Sequence, residues 1–311
     1  AREPLLIVVN DPTRSTATAP ALRAIATAAP DALGRARVLV ATGSHSFGQA
    51  DRAAYERALE LPTFGVSSVS WHDALDASLV DVGGFRVHPW LAEARRVLAI
   101  GSVEPHYFAG LTGAHKTITI GCIGRRDIEH NHERALDPAT RILTLDGNPV
   151  FDGIADMATR IASTRNVIAI NQIVHDGELV HAEVGDPLAT VRSLRARVIE
   201  LYAHVLGDTF DVLHLRVPSP LGRSFYQADK ALKNHDLAVR DGGAIILEAA
   251  CEEGLGQRAF IDLLEAAPSL ERALALVAER GYRLGDHKAV LLRRLMDEKC
   301  RGVRVHLVSP L

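Results

Sequence analysis

Short apolar runs recur along the chain, and each is soon followed by a residue type that ends a strand. The runs cover residues 5–9, 38–40, 97–100, 167–170, 212–217, 244–247 and 303–308, and the residues that follow them are Gly, Asn, Ser, Asp, Thr, Pro or Glu. Their apolar character is continuous rather than alternating, which is typical of parallel strands covered on both faces. The pattern therefore predicts strands of a mostly parallel, buried sheet.

Helix-like stretches rich in Ala, Leu, Arg and Glu separate these runs, at residues 19–29, 49–60, 152–164, 187–206, 258–264 and 269–280. Alternating strands and helices indicate an α/β architecture with right-handed crossovers. In such sheets, ligands bind beyond the carboxyl ends of the strands. We therefore expect the chemistry to lie at the strand ends near Asp11, Thr42, Gly101, Pro218 and Glu248.

A break near residues 206–208 follows a long helical stretch, and the strand pattern restarts at Val212. We predict two α/β lobes, 1–206 and a smaller lobe 207–311, each with a mostly parallel sheet, with an active-site cleft between them. The segment 103–146 has few strand signals and many Gly, His and Arg residues. A long irregular stretch inside a compact domain is usually functional.

Composition narrows the class of protein. The chain has 311 residues, of which 47% are hydrophobic and 23% charged, and its net charge is −3, so it is globular and offers no basic surface for nucleic acid or an anionic membrane. Three cysteines do not make a disulfide framework. We find no secretion signal and no apolar run of about 18 residues. The sequence predicts a cytoplasmic protein without nucleic-acid or membrane partners.

Two turns after the first strands carry candidate chemistry. Residues 10–16 read Asn-Asp-Pro-Thr-Arg-Ser-Thr, and the backbone amides and hydroxyls of this turn offer an anion site. Arg14 adds a bidentate group for a carboxylate or phosphate. Residues 41–45 place His45 after a second strand, where an imidazole titrates near neutral pH.

The segment 101–132 combines glycines, a lysine and several histidines. Lys116 follows a Gly-rich stretch, but the spacing of a phosphate-binding P-loop is absent. Imidazoles at His130 and His132 suit a transition metal, although neither an HExxH nor a CxxC pattern is present. Three glycines let the backbone approach a ligand closely: Gly110, Gly113 and Gly121.

In the second lobe, residues 224–230 read as a helix start. Tyr226 and Lys230 are four residues apart and share a helix face, and Gln227 lies one position round. The turn at 248–256 reads as a sheet-edge turn.

Taken together and in order, these segments resemble the nickel-dependent lactate racemase family of hydroxyacid racemases and epimerases. The resemblance covers nearly the whole chain, at residues 11–14, 41–45, 104–113, 116, 131–132, 226–230 and 281–289. It implies two α/β domains with the active site between them, the first binding the cofactor. The cofactor of the family is a nickel-pincer nucleotide, pyridinium-3-thioamide-5-thiocarboxylic acid mononucleotide, for which cofactor-synthesis proteins are needed.

The resemblance also assigns roles by matching positions. Lys116 matches the lysine that tethers the cofactor, and His132 matches the nickel ligand. His45 and His106 match two acid/base histidines, and Arg14 matches a substrate-orienting arginine. Gln227 and Lys230 match residues that face the cofactor and substrate. We expect further cofactor contacts from Asp11, Thr13, Thr16, Gly113 and Tyr226.

The sequence thus predicts an isomerase that racemises or epimerises a small 2-hydroxy acid, lactate or a larger one, by reversible hydride transfer. One alternative is a non-catalytic relative that binds nickel or the cofactor. Another is a zinc hydrolase using His130 and His132, for which no water-activating carboxylate lies at metal-ligand spacing. His115 and His130 match no functional position and read as solvated loop histidines.

Overall fold

The computed structural model describes residues 4–66 and 68–310, and the chain divides into two compact units. The first unit contains the residues up to Asn131 together with Leu143–Ala203. The second unit contains His132–Ile142 and the residues from His204 onward. The break after Ala203 falls three residues before the one predicted, and the short segment 132–142, predicted in the first lobe, joins the second unit.

The first unit is built on a six-stranded sheet of order β10-β9-β6-β1-β2-β3, parallel except for the antiparallel edge strand β10. Its strands are β1 Leu6–Asn10, β2 Arg37–Ala41, β3 Ser68–Trp71, β6 Arg96–Ser102, β9 Asn166–His175 and β10 Glu178–Gly185. Two short hairpins are formed by β4 Val80–Asp81 with β5 Arg86–Val87, and by β7 Pro105–His106 with β8 Gly110–Leu111. Its helices are α1 Thr18–Ala28, α2 Pro30–Leu33, α3 Gln49–Ala58, α4 Pro89–Glu93, α5 Ala114–Ile118, α6 Arg125–Glu133, α7 Pro149–Ala162 and α8 Pro187–Tyr202, and α6 runs two residues into the second unit.

The centre of this sheet is dry, as its sequence predicts. The four apolar side chains at the start of β1, Leu6, Ile7, Val8 and Val9, are fully buried. Because β1 pairs in parallel with both β2 and β6, the ends of these three strands lie at one edge of the sheet. The turns that follow β1 and β2 therefore start side by side.

The second unit has a three-stranded parallel sheet of order β11-β12-β13, formed by β11 Phe210–Val217, β12 Val239–Ala249 and β13 Arg304–Val308. Its helices are α9 Phe225–His235, α10 Arg258–Ala266, α11 Leu270–Arg280 and α12 Asp286–Met296. Leu136 packs against the core of this unit, and the Arg294 guanidinium donates to its carbonyl at 2.7 Å. These contacts explain why the segment 132–142 belongs here.

One expectation from the sequence is wrong. The outer strands of the smaller sheet are not covered on both faces, because Val212 and Val308 are 54% and 52% exposed while Leu213 and Leu215 pack on the core. The segment 103–146, predicted to be irregular, holds α5, α6 and the β7–β8 hairpin, with turns and loops between them. Over the described residues, no helix is both long enough and apolar enough to span a membrane.

Candidate active site

The turn after β1 brings an aspartate to a histidine on the neighbouring strand end. Asp11 is 2% exposed, and its Oδ2 lies 3.0 Å from Nδ1 of His45. Its other oxygen accepts hydrogen bonds from the backbone amide and the hydroxyl of Thr13, at 2.8 and 2.5 Å. The carboxylate is thus bonded to protein groups on both oxygens, so its position fits orientation of His45 better than a direct cofactor contact.

The charge of this pair follows from its surroundings. Burial by itself raises the pKa of Asp11, but the hydrogen bond and positive charge of His45, with the nearby Arg14, outweigh burial and lower it. The carboxylate is ionised at neutral pH, so Nδ1 of His45 is the donor in this contact. The remaining nitrogen, Nε2, carries the lone pair whenever the ring is neutral.

The turn after β2 presents His45 to solvent. Gly43 has a φ of +57°, and a Cβ there would lie 3.1 Å from the carbonyl oxygen of Ile120, so glycine is needed for this turn. The His45 amide then donates to the Thr42 carbonyl at 3.0 Å. The side chain of His45 is 38% exposed and accessible to a small ligand.

Hydrogen bonds tie the first turn to α5. Asn10 donates from Nδ2 to the hydroxyl of Thr16 at 2.8 Å and accepts from the hydroxyl of Thr117 at 2.7 Å. The side chain of Arg14 is half-buried and makes no hydrogen bond or ion pair with any residue in 4–66 or 68–310. It is therefore available to an anionic ligand.

The β7–β8 hairpin places His106 against Lys116. Nε2 of His106 lies 3.0 Å from Nζ of Lys116, and both side chains are half-buried. Nδ1 of His106 accepts a hydrogen bond from the backbone amide of Ala109 at 3.2 Å. Since an amide can only donate, the proton of the neutral ring is on Nε2.

Close backbone packing sets the position of the short helix that carries Lys116. A Cβ on Gly101, in β6, would lie 2.6 Å from the amide nitrogen of Ala114, the first residue of α5. That amide donates to Oδ1 of Asn171 at 2.7 Å. Gly113, which precedes the helix, is buried. Because glycine has no side chain, it can offer a ligand only its backbone.

In the second unit, the predicted metal ligand lies beside another histidine. His132 is 9% exposed, and its ring stands edge-on to that of His287, with centroids 5.8 Å apart. The Tyr282 hydroxyl lies 2.6 Å from Nδ1 of His287 and fixes that ring. His130 is two positions away on α6 and is exposed, so it does not share a site with His132.

Helix α9 begins where the sequence predicts and carries three of the expected site residues. Tyr226, Gln227 and Lys230 are half-buried in its first two turns. The side-chain amide of Gln227 has no hydrogen-bond partner among the described residues. The predicted site residues thus form an Asp11 and His45 pair and a His106 and Lys116 pair in the first unit, and two further groups in the second.

One expectation about the histidines is corrected. His115 is not solvated but fully buried, packed against Phe151 with ring centroids 5.4 Å apart. Among the described residues, no group of three or more His, Cys, Asp and Glu side chains is arranged to hold a metal ion. Sequence reasoning also missed a set of buried ionisable residues on α9 and α12: Asp229, Lys233, Asp286, His287 and Lys288. The signal that could have found them is the run of three ionisable residues at 286–288.

Similar proteins place the chain in a family. Residues 1–142 match the model of the lactate racemase N-terminal domain, and residues 214–288 match that of the lactate racemase C-terminal domain. The chain is 25% identical over 260 residues to lactate racemase from Thermoanaerobacterium thermosaccharolyticum. The matched region covers 79% of this chain and 59% of that protein. It is 26% identical over 269 residues to lactate racemase from Lactiplantibacillus plantarum, covering 82% and 62%.

The fold comparison agrees. The lactate racemase apoprotein from T. thermosaccharolyticum superposes with a TM-score of 0.82 at 22% identity, covering 99% of this chain and 75% of that one. A protein from Thermotoga maritima superposes with a TM-score of 0.75 at 14% identity, covering 99% and 84%. The chain spans about six tenths of the length of the two curated relatives. With both domain models matched over most of its length, the chain belongs to the lactate racemase family.

Proposed function

We propose that this protein racemises or epimerises a 2-hydroxy acid with the help of a nickel-pincer nucleotide. Family membership supports a racemase. The observation that carries the proposal is a pair of imidazoles in one unit, each held at Nδ1 by a protein group. His45 is bonded at Nδ1 to a carboxylate, and His106 is bonded at Nδ1 to a backbone amide.

The two histidines can take complementary parts in proton transfer. The Asp11 carboxylate keeps the proton of neutral His45 on Nδ1, so Nε2 is a base that can take the hydroxyl proton of the substrate. His106 lies in the same unit, and as an imidazolium it can return a proton to the opposite configuration and become neutral. Conversion of the other enantiomer uses the same two histidines with the roles exchanged.

The donor set fits the proposed cofactor. His132 offers one nearly buried imidazole, which would bind a nickel ion carried by the nucleotide. Lys116 offers its amine for the tether. When bound, the cofactor supplies the electron-poor pyridinium that accepts the substrate hydride and gives it back.

Cationic and amide side chains are proposed to bind and orient the substrate. The guanidinium of Arg14 is available to form two parallel hydrogen bonds with the substrate carboxylate. Lys230 stabilises the oxygen that gains negative charge as the hydroxyl is oxidised, and Gln227 holds that oxygen or the cofactor. A short hydroxy acid, lactate or a larger one, matches this set of groups.

The decisive experiment loads the protein and measures turnover. The full chain is produced together with the cofactor-synthesis proteins, and intact-mass analysis should find an adduct that Lys116→Ala abolishes. Each enantiomer of lactate and of larger 2-hydroxy acids is then incubated with the loaded protein and resolved by chiral chromatography. Absence of both adduct and nickel would refute the proposal, and an adduct without turnover of any acid would leave a cofactor-binding relative instead of an enzyme.

A further inference from the structure

Helix α12 begins with three consecutive ionisable side chains that are buried and that the proposed function does not use. Asp286, His287 and Lys288 are 0%, 2% and 3% exposed. Buried charge is costly unless it is paired, and apolar side chains would pack this helix as well. Asp286 is paired with Arg280 through two hydrogen bonds of 2.8 and 2.9 Å, which anchor the helix start.

Lys288 makes two contacts with one site residue. Its Nζ donates a short hydrogen bond to the backbone carbonyl of Tyr226, and the same atom lies 4.3 Å from the centroid of the Tyr226 ring. An ammonium group so close to an aromatic face is attracted by the ring quadrupole. Lys288 therefore holds both the backbone and the side chain of Tyr226.

A second buried lysine, Lys233, shares the counterion of Lys288. Asp229 is fully buried. Its Oδ2 lies 3.6 Å from Nζ of Lys288, and its Oδ1 lies 3.2 Å from Nζ of Lys233. Burial lowers the pKa of Lys288 to about 8, although Asp229 acts against that change. Both lysines are buried and both lie near Asp229, so Lys233 serves as the reference for Lys288.

The other side of Tyr226 is held by the loop after β12. The amides of Phe225 and Tyr226 donate to the carbonyls of Gly254 and Leu255 at 3.2 and 3.1 Å. A Cβ on Gly256 would lie 2.3 Å from Cβ of Tyr226, so only glycine permits this approach. Tyr226 is thus fixed through its amide, its carbonyl and its ring.

The use of lysine in the chain supports a specific role. There are five lysines against 30 arginines, and two of the five are Lys233 and Lys288 in this buried cluster. Lysine is thus rare in this chain, yet two lysines lie together around the buried Asp229. A compact ammonium can bond a carbonyl and face a ring at once, which the planar guanidinium of arginine does in a different geometry.

We propose that Lys288 is a positioning residue that fixes Tyr226 and the start of α9, and so sets the affinity of the protein for a pyridinium nucleotide. The proposal rests on the proposed function and on the expectation from the sequence that Tyr226 contacts the cofactor. Lys288 itself touches neither cofactor nor substrate in this role. It acts through Tyr226, and its effect must disappear when Tyr226 is removed.

The test uses the unloaded full chain and nicotinic acid mononucleotide as the probe. Calorimetry should find that Lys288→Met raises the dissociation constant of the nucleotide about tenfold or more. Lys233→Met, the matched control, should change it by less than about twofold while lowering the Tm by a similar amount, because both changes leave Asp229 with one partner. In a double-mutant cycle, Lys288→Met should add nothing to the effect of Tyr226→Ala.

A second variant covers a failure to fold. Lys288→Gln keeps an N–H for the Tyr226 carbonyl without the charge, and its nucleotide affinity should lie between those of the unaltered protein and Lys288→Met. Equal affinities in Lys288→Met and the unaltered chain, equal weakening by Lys233→Met, or effects that multiply with Tyr226→Ala would each overturn the inference. Failure of the unaltered protein to bind the nucleotide would instead overturn the proposed function, and this inference with it.

Discussion

Nε2 of His106 lies 3.0 Å from the Nζ atom of Lys116, and the imidazole proton is directed at that amine. When the ring proton lies on Nε2, Nζ can accept it only as a neutral amine, which is the nucleophilic form. We therefore infer that the histidine proposed for proton transfer also favours the amine form of Lys116, to which the proposed cofactor would attach.

This relationship predicts the reactivity of Lys116 before loading. We expect acetic anhydride at pH 7 to acetylate Lys116 in the unloaded chain, and His106→Ala to slow that reaction by about tenfold or more. Peptide mass spectrometry can measure it with the exposed Lys299 as the internal standard. His45→Ala should leave the rate unchanged, and a rate that is indifferent to His106 would contradict the contact.

The Asp11 and His45 pair predicts the effect of a single-atom change. Asp11→Asn keeps the size of the side chain but cannot hold the His45 proton on Nδ1 as a carboxylate does. We expect racemisation by the loaded protein to fall by about 10²–10⁴-fold with KM and nickel content little changed. Initial rates for both enantiomers, with nickel measured on the same sample, check this. Full activity in the asparagine variant would show that the pair is not catalytic.

Metal binding and proton transfer should be separable by substitution. His132→Ala should lose nickel, whereas His45→Ala and His106→Ala should abolish racemisation and retain nickel. His130→Ala is the matched control, because it removes an exposed imidazole from the same helix and should keep both properties. Elemental analysis of the loaded variants decides the matter, and equal nickel loss in all of them would refute this division of roles.

His115 predicts a stabilising substitution with a pH signature. Its ring is fully buried, and neither ring nitrogen has a hydrogen-bond partner in the part of the chain that the structure describes. Burial, helped by the positive charges of Lys116 and Arg192, lowers the pKa of His115 to about 3. Below the ordinary value of 6.5 the unfolded chain therefore binds the extra proton, so the free energy of unfolding falls as the pH falls from about 6.5 towards 3.

Replacing this ring with an apolar one should remove both effects. His115→Leu should raise the free energy of unfolding by about 1–3 kcal/mol at pH 7 and widen the gap to the unaltered protein at pH 5. Urea unfolding at the two pH values measures this, with the exposed His130→Leu as a control. A variant that is less stable at pH 5 would argue for a partner of His115 in the functioning enzyme.

The local hydrophobic pattern was sufficient to predict where the strands end, but not which residues at those ends lie opposite each other. All seven apolar runs became strands, and parallel pairing of β1 with β2 places Asn10 opposite Ala41. The hydrogen bond between Asp11 and His45 follows from that register, which joins residues 34 positions apart. Register depends on the packed sheet, and no short window of sequence contains it.

Buried polar residues are the second feature that could not be predicted from the sequence. Hydropathy assigns residues such as His115 and Lys288 to the surface, because burial of an imidazole or ammonium is unfavourable by itself. Lys288 is compensated by Asp229 and Tyr226, which lie about sixty positions away in the chain. The family resemblance could match the segment 281–289 but could not assign a task to any residue in it.

The discontinuity of the second unit sets an order for its assembly during synthesis. Residues 132–142 are synthesised before the rest of that unit. Leu136 can therefore pack only after the core of residues 213–307 has been made. Until Arg294 has emerged to bind the Leu136 carbonyl, the segment that begins with His132 has no native partner on α12. His132, the proposed nickel ligand, therefore reaches its final surroundings only after α12 has been made, and we expect nickel binding to wait until then.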